Sequence, residues 1–452
     1  MNSAESYVER TIKQLRRVPK LLFFGILLER RTSNFLQAQS IQRKKKGRFI
    51  SNCEHEIYLE LTLYFSQKEP VYISMGMPFL SSSELLKRIE EEYNAAADIS
   101  KDVEPLQFDI ETKGLMIKDP RYVSIDEDGR RAILDFNIDS LYSIDPRIRI
   151  SALEFEDVFV ERKFFSNDRP VLVEESTFFR LKGSFVLPFS LLPLAAGQLQ
   201  GRYLSDVASR PLQAVLLKTL FGAQPRTFDL EDCSKLVLKP CVVSQIIEQL
   251  LPAFDLRRIE AGESFLAAHR GARIGTTAVH VLDSADYTYG SNTRAFDAQG
   301  VPPMMLTLIR EGMCDALYID SLRALEDEIC PTGHVGLSQK LWYGNILIKA
   351  GRRSLNMIMQ EDDVALTILY CTEPVQIDLK TGECSFVGYA VTTSSKKSHA
   401  HFGLVYYKGP VLDILNQVEE CTNHQIREGF IDACEWILPA EALDKIEILN
   451  YA

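Results

Sequence analysis

The sequence predicts an α+β protein of two domains. Residues 1–225 would form a strand-rich N-terminal domain with flanking helices. Residues 226–452 would form a C-terminal domain with a mixed or antiparallel β-sheet, or a barrel-like one, and short helices. Three observations carry this. The chain has 452 residues, more than the roughly 100–200 residues of one domain. Its composition, 46% apolar and 25% charged, is that of a globular chain able to bury a core in each part. Alternating runs rich in β-branched and aromatic residues dominate, and helical spacings interrupt them only briefly.

The elements follow in order. Tyr7, Val8, Ile12 and Leu15 recur at helical spacing behind Ser3, which predicts an amphipathic helix over residues 3–16. Residues 21–74 alternate as strands, broken by Arg43-Lys44-Lys45-Lys46-Gly47-Arg48. Five cations in six residues suit a solvated hairpin tip better than a phosphate site. Ser81-x-x-Glu84 is a capping-box pattern, and Leu85, Leu86, Ile89 and Tyr93 give the helix behind it one apolar stripe. Residues 105–190 read as strands again, with turns at Asp126-Glu127-Asp128-Gly129 and Asn167-Asp168-Arg169-Pro170. A boundary is expected near 220–230. Val242, Val243, Ile246, Ile247, Leu250 and Leu251 make 241–251 a heavily buried helix, stopped by Pro252. Hairpins are expected where 306–309 and 316–319 flank Glu311-Gly312, and where 375–377 and 384–391 flank residues 378–382. Residues 321–329 and 411–418 read as helices between strands.

Charge and composition exclude several classes of function. Lys and Arg number 51 against 62 Asp and Glu, a net charge of −11, so the global field repels nucleic acid and anionic lipid. The basic residues 13–20 and apolar residues 21–28 imitate a signal peptide. However, Glu29-Arg30-Arg31 follows with no small-residue cleavage site, so none is expected. The apolar run 185–196 contains Pro188 and Pro193 and falls short of the ~18–20 residues that span a bilayer. Nine dispersed Cys without a CxxC pair read as reduced thiols. A cytoplasmic protein without membrane or nucleic-acid partners is the expectation.

Motif searches return little chemistry. His55-Glu56 has no second His at Leu59 or Glu60, and its surroundings alternate as a strand would. His399-x-His401 would share a strand face, but Ser394-Ser395-Lys396-Lys397-Ser398 beside it is cationic and unsuited to a divalent ion. There is no G-x-S-x-G elbow, P-loop or G-x-G-x-x-G turn. The carboxylate pairs Asp362-Asp363, Glu326-Asp327-Glu328 and Glu91-Glu92 suit solvated faces.

One ordered set goes further: Phe296-Asp297-Ala298-Gln299-Gly300-Val301, then Ile309-Arg310-Glu311-Gly312, then Thr332-Gly333-His334. It resembles the C-terminal signature of the TldD/PmbA family, an F-D-x-x-G-V turn followed by an acidic-Gly turn and a T-G-H or T-G-N element. Ser264-Phe265-Leu266 and residues 375–385, with Asp378, Thr381 and Gly382, look like further family segments, so that the resemblance covers roughly 235–450. In the TldD-like branch a helix carries H-E-x-x-x-H for zinc. The corresponding helix here, residues 241–251, has no His and offers Ser244, Gln245 and Glu248. The resemblance therefore implies the PmbA/TldE-like branch. This is the non-catalytic subunit, with no metal, cofactor or catalytic residue of its own, paired with a TldD-like zinc subunit in a heterodimer that encloses unfolded or leader peptides. Strand-rich walls around 306–319 and 384–407 would suit the peptide or the subunit contact. Phe296, Asp297, Gly300, Thr332, Gly333 and His334 are candidates for the peptide channel or subunit interface. For the first three, a turn anchored in a core is the simpler expectation. The alternatives are an independent hydrolase whose cryptic site uses His399 and His401, a peptide-binding module without catalysis, and a DNA-associated factor, which the charge opposes.

Overall fold

The computed structural model describes residues 2–41, 48–99, 102, 115–167, 170–186, 193–208, 211–212, 219, 224–225, 230–326, 329–359, 363–394 and 401–449. The basic segment 42–47, the 220–223 and 226–229 parts of the expected boundary, and His399 lie outside them.

Long alternating runs build the first sheet. Its strands are β1 (Leu21–Ile41), β2 (Arg48–Phe65), β3 (Val71–Gly76), β4 (Arg149–Ser166), β5 (Leu172–Val186) and β6 (Pro193–Gly201). All neighbours are antiparallel, in the order β3-β2-β1-β4-β5-β6. β1 pairs with β4 from Gly25 opposite Ser166 to Ile41 opposite Ile150. Such strands are long enough to carry a separate apolar cluster at each end. At one end Phe24, Ile26, Leu28, Leu61 and Leu63 are covered by the helices Asn2–Leu15 and Ser82–Ala95. The second of these begins with the expected capping box: the Ser81 hydroxyl accepts from the Glu84 amide, and the Glu84 carboxylate accepts from the Ser81 amide.

At the other end Leu36, Ala38, Leu153, Phe155, Phe179 and Leu181 meet a helix not anticipated from the sequence, Glu127–Ile144. This corrects the strand expectation for part of 105–190. Asp126 is an N-cap whose side chain accepts from the Gly129 amide, and the supposed turn is the first turn of the helix. The same residue types serve caps and turns because a short acceptor side chain satisfies free amides in both. Ile133, Leu134 and Leu141 form its buried stripe.

Among the described residues the second sheet has 13 strands in a mixed, open order, so the mixed-sheet form is the one seen. Lys235–Leu238 lies at its centre, antiparallel to Ile431–Pro439 and parallel to Val364–Cys371. The helix Pro240–Leu250 follows directly. Pro240 sits in its first turn, where the missing N–H costs nothing. Val242, Val243, Ile246, Ile247 and Leu250 bury one face of it in the main core around Trp436. The short helices Ser321–Glu326 and Val411–Gln417 fall where expected. The turn at Glu311-Gly312 also forms, with both residues at positive φ. However, Leu306–Arg310 forms its ladder with Met313–Cys314, and of the expected partner 316–319 only the Ala316 amide reaches back, to the Thr307 carbonyl, while Tyr318 makes a single bridge to Asp255 instead. At the turn the Gly312 amide donates to the Val279 carbonyl, and a Cβ there would stand 2.1 Å from the Gly275 carbonyl oxygen, so only glycine fits. The other hairpin pairs Gln376–Ile377 with Glu383–Ser394. Among the described residues no helix is long and apolar enough to cross a membrane.

Candidate functional site: a buried joint and a cleft between the sheets

Two features lie where the sheets meet. The first is a buried joint built from the ordered motif. The Asp297 carboxylate, fully buried, accepts from the Gln299 amide at 2.8 Å, the Val301 amide at 2.9 Å and the Val335 amide at 3.1 Å. It thus closes its own turn and ties it to the Thr332-Gly333-His334 loop. Burial raises this carboxyl above its ordinary value, against the lowering effect of those amides and of Arg294. Gly300 and Gly333 both take a φ of +72°. A Cβ on Gly333 would stand 2.4 Å from the Pro302 carbonyl oxygen, so strain and collision coincide there. Gly333→Ala should therefore lower the thermal midpoint by several degrees, roughly what a loss of 1–3 kcal/mol gives. A differential scanning measurement on the purified chain checks this.

The N-terminal sheet supplies charge to the joint. Arg162 on β4 donates to the Phe296 carbonyl at 2.9 Å and to Glu174 on β5 at 3.3 Å. Glu174 accepts from the Ala295 amide at 2.5 Å. The Arg162 guanidinium lies over the Phe296 and Trp342 rings. Arg294 also packs on Trp342 and donates to the carbonyls of Gly333, Trp342 and Tyr343. Burial pulls Arg294 down to about 10, which leaves it charged at neutral pH. His334 packs on Tyr318, with Nε2 3.4 Å from Asp283 Oδ1 but without a hydrogen bond. All six residues singled out by the motif, Phe296, Asp297, Gly300, Thr332, Gly333 and His334, are therefore brought together, and all are buried in this chain. The geometry gives them the work of holding turn, loop and sheet in one arrangement.

The second feature, which sequence reasoning missed, is a cleft of about 810 Å³ beside the joint. β1, β4, β5 and β6 contribute Gln37, Glu154, Phe178, Lys182 and Gln200. The opposite wall is the outer face of Pro240–Leu250, with Cys241, Ser244, Gln245, Glu248 and Gln249, continued by Tyr370, Cys371, Glu373, Glu428 and Phe430. None of the described residues of the 306–319 and 384–407 segments lines it. Period 3.6 explains the helix wall, since residues 241, 244, 245 and 248 share the face opposite the buried stripe.

The chemistry of this wall is limited. Glu248 reaches solvent, yet the surrounding cleft desolvates it and raises its carboxyl. Burial pushes the Cys241 thiol well up, and its Sγ donates to the Leu369 carbonyl at 2.9 Å, so it stays protonated. A zinc site needs several imidazole, thiolate or carboxylate donors at one point. A hydroxyl, a carboxamide, a protonated thiol and one carboxylate do not fit. Among the described residues no His lines the cleft. Among the described residues no group of three or more His, Cys, Asp and Glu could hold a metal ion. His401 begins a strand of the second sheet, away from the cleft. His55 lies on the exposed strand face expected for it, 3.1 Å from Thr32 Oγ1.

The joint and the cleft define the class of protein first: an α+β chain of two sheets, with a cavity of about 810 Å³ walled on one side by the helix Pro240–Leu250. Sequence comparison adds the family. Residues 232–441 match the PmbA/TldA metallopeptidase C-terminal domain, so the chain carries a C-terminal domain of the PmbA/TldD metallopeptidase family. Solved structures share the fold over nearly the whole chain. TldE from Thermococcus kodakarensis is 14% identical with a TM-score of 0.76, covering 96% of this chain and 98% of its own. A candidate modulator of DNA gyrase from Bacteroides thetaiotaomicron is 14% identical with a TM-score of 0.75, covering 97% and 98%. Another from Thermotoga maritima is 13% identical with a TM-score of 0.75, covering 98% and 99%. No curated protein matches the sequence.

Proposed function

We propose that this chain is the TldE-like, non-catalytic subunit of a heterodimeric TldD-type zinc metallopeptidase that encloses and processes unfolded or leader peptides. One observation carries the reading. The helix that follows the central strand of the family domain faces the cleft between the sheets, but its cleft-lining positions hold Ser244, Gln245 and Glu248. This wall can form hydrogen bonds with a peptide and cannot activate water through a metal it does not bind. The likeness in fold to TldE supports the same branch. The partner supplies zinc and the general base, this chain supplies surface, and both work in the cytoplasm. Assaying the purified chain with an unfolded peptide, alone and after co-expression with a TldD-like protein, tests this. Cleavage is expected only with the partner, in a fraction where both chains co-elute. Cleavage by the chain alone, or failure to co-elute, would refute the assignment.

A further inference from the structure

We propose that the cleft between the sheets of this chain binds an extended peptide stretch bearing Lys or Arg side chains. The inference rests on the reading that the assembly handles unfolded peptides, and it adds which sequences this subunit selects.

Three properties of the cleft point the same way. First, Gln200 stands on the sheet wall, and Gln245 and Gln249 on the helix wall. Each carboxamide both donates and accepts, as backbone peptide groups do, so the walls suit a chain whose own hydrogen bonds are unmade. Second, the charge is one-sided. Lys182 is directly opposite Glu154 in the β4–β5 register, which offsets its charge. Glu248 and Glu373, from two separate segments and both solvent-reaching, set the sign of the cavity. Walls of low dielectric concentrate that field on whatever enters. Third, Phe178 and Phe430 line the same space. Aromatic faces accept the aliphatic stem and the charged head of Lys or Arg, whereas they give an anionic side chain nothing. The volume of about 810 Å³ is that of a site for a short segment and not for a folded domain.

Fluorescence anisotropy on the full-length chain tests the inference. The probes are two labelled, unstructured peptides identical except that Lys in one is replaced by Glu in the other. The Lys peptide should bind about tenfold or more tightly than the Glu peptide, and its binding should weaken with added salt. The double variant Glu248→Gln, Glu373→Gln should weaken binding of the Lys peptide by about tenfold. Lys182→Glu, at a solvent-reaching position of β5, should tighten it. Opposite responses from two kinds of variant exclude a general loss of folding as the cause. Equal binding of the two peptides, binding of neither, or affinities unmoved by these substitutions would overturn the inference. Such a failure would leave the subunit assignment standing if the chain still co-elutes with a TldD-like partner. Conversely, selective Lys-peptide binding without co-elution would leave the inference standing and remove the assignment.

Discussion

Replacing Arg162 with Ala is expected to destabilise the chain by about 3 to 5 kcal/mol, a large fraction of the roughly 5–15 kcal/mol that keeps a domain folded. The side chain is 2% exposed. Its removal leaves Glu174 buried without its cation and the Phe296 carbonyl without its donor. It also removes Arg162 from near Glu29, whose carboxyl burial already raises and which Arg162 lowers. The loss thus comes from orphaned charge more than from the missing attraction. Replacing Arg162 and Glu174 together with Met should therefore cost less than Arg162→Ala alone, which the sum of two independent losses would not allow. Urea unfolding followed by tryptophan emission can read this, because the chain has only two Trp and Trp342 lies under the guanidinium.

Asp297→Ala should have the next largest effect. It removes the acceptor from three buried amides, those of Gln299, Val301 and Val335, and each unsatisfied group costs about 1–3 kcal/mol. Asp297→Asn should be milder. Its oxygen can keep the Gln299 and Val301 amides, while its NH2 faces the Val335 amide, donor against donor. The pH dependence has a definite sign. Because burial raises the folded-state pKa of Asp297 above 3.8, the folded chain takes up this proton before the unfolded chain does. Ionisation of Asp297 therefore costs stability at neutral pH, and that cost disappears as pH falls through the raised value towards 3.8. Over that window wild type should gain stability relative to Asp297→Asn, as parallel urea titrations would show.

Legibility in the sequence followed the range of the interaction. The capping box at Ser81, the buried stripe of Pro240–Leu250 and the glycine turns at 300, 312 and 382 are local patterns, and each was readable. The helix Glu127–Ile144 was equally local and was missed. An acidic run ending in Gly129 looked like a turn, and the spacing of Ile133, Leu134 and Leu141 was the signal that would have corrected it. The motif at 296–301 and 332–334 was found as a pattern, but its role was not legible. Its anchors Arg162 and Glu174 lie 134 and 121 residues from the groups they hold, and no periodicity connects them. The cleft was hidden for the same reason. Its walls come from both sheets, and only the helix wall could be anticipated, through the ligand positions left vacant at Ser244, Gln245 and Glu248.

The central claim, that this chain builds walls while a partner holds the metal, is tested most directly by where zinc resides. Elemental analysis of the co-purified heterodimer should find about one zinc per pair, as a single catalytic site requires. The isolated chain should hold none, and Ser244→Ala with Glu248→Gln in this subunit should leave the zinc content of the heterodimer unchanged. Stoichiometric zinc in the isolated chain, or zinc lost from the heterodimer with those two substitutions, would contradict the account.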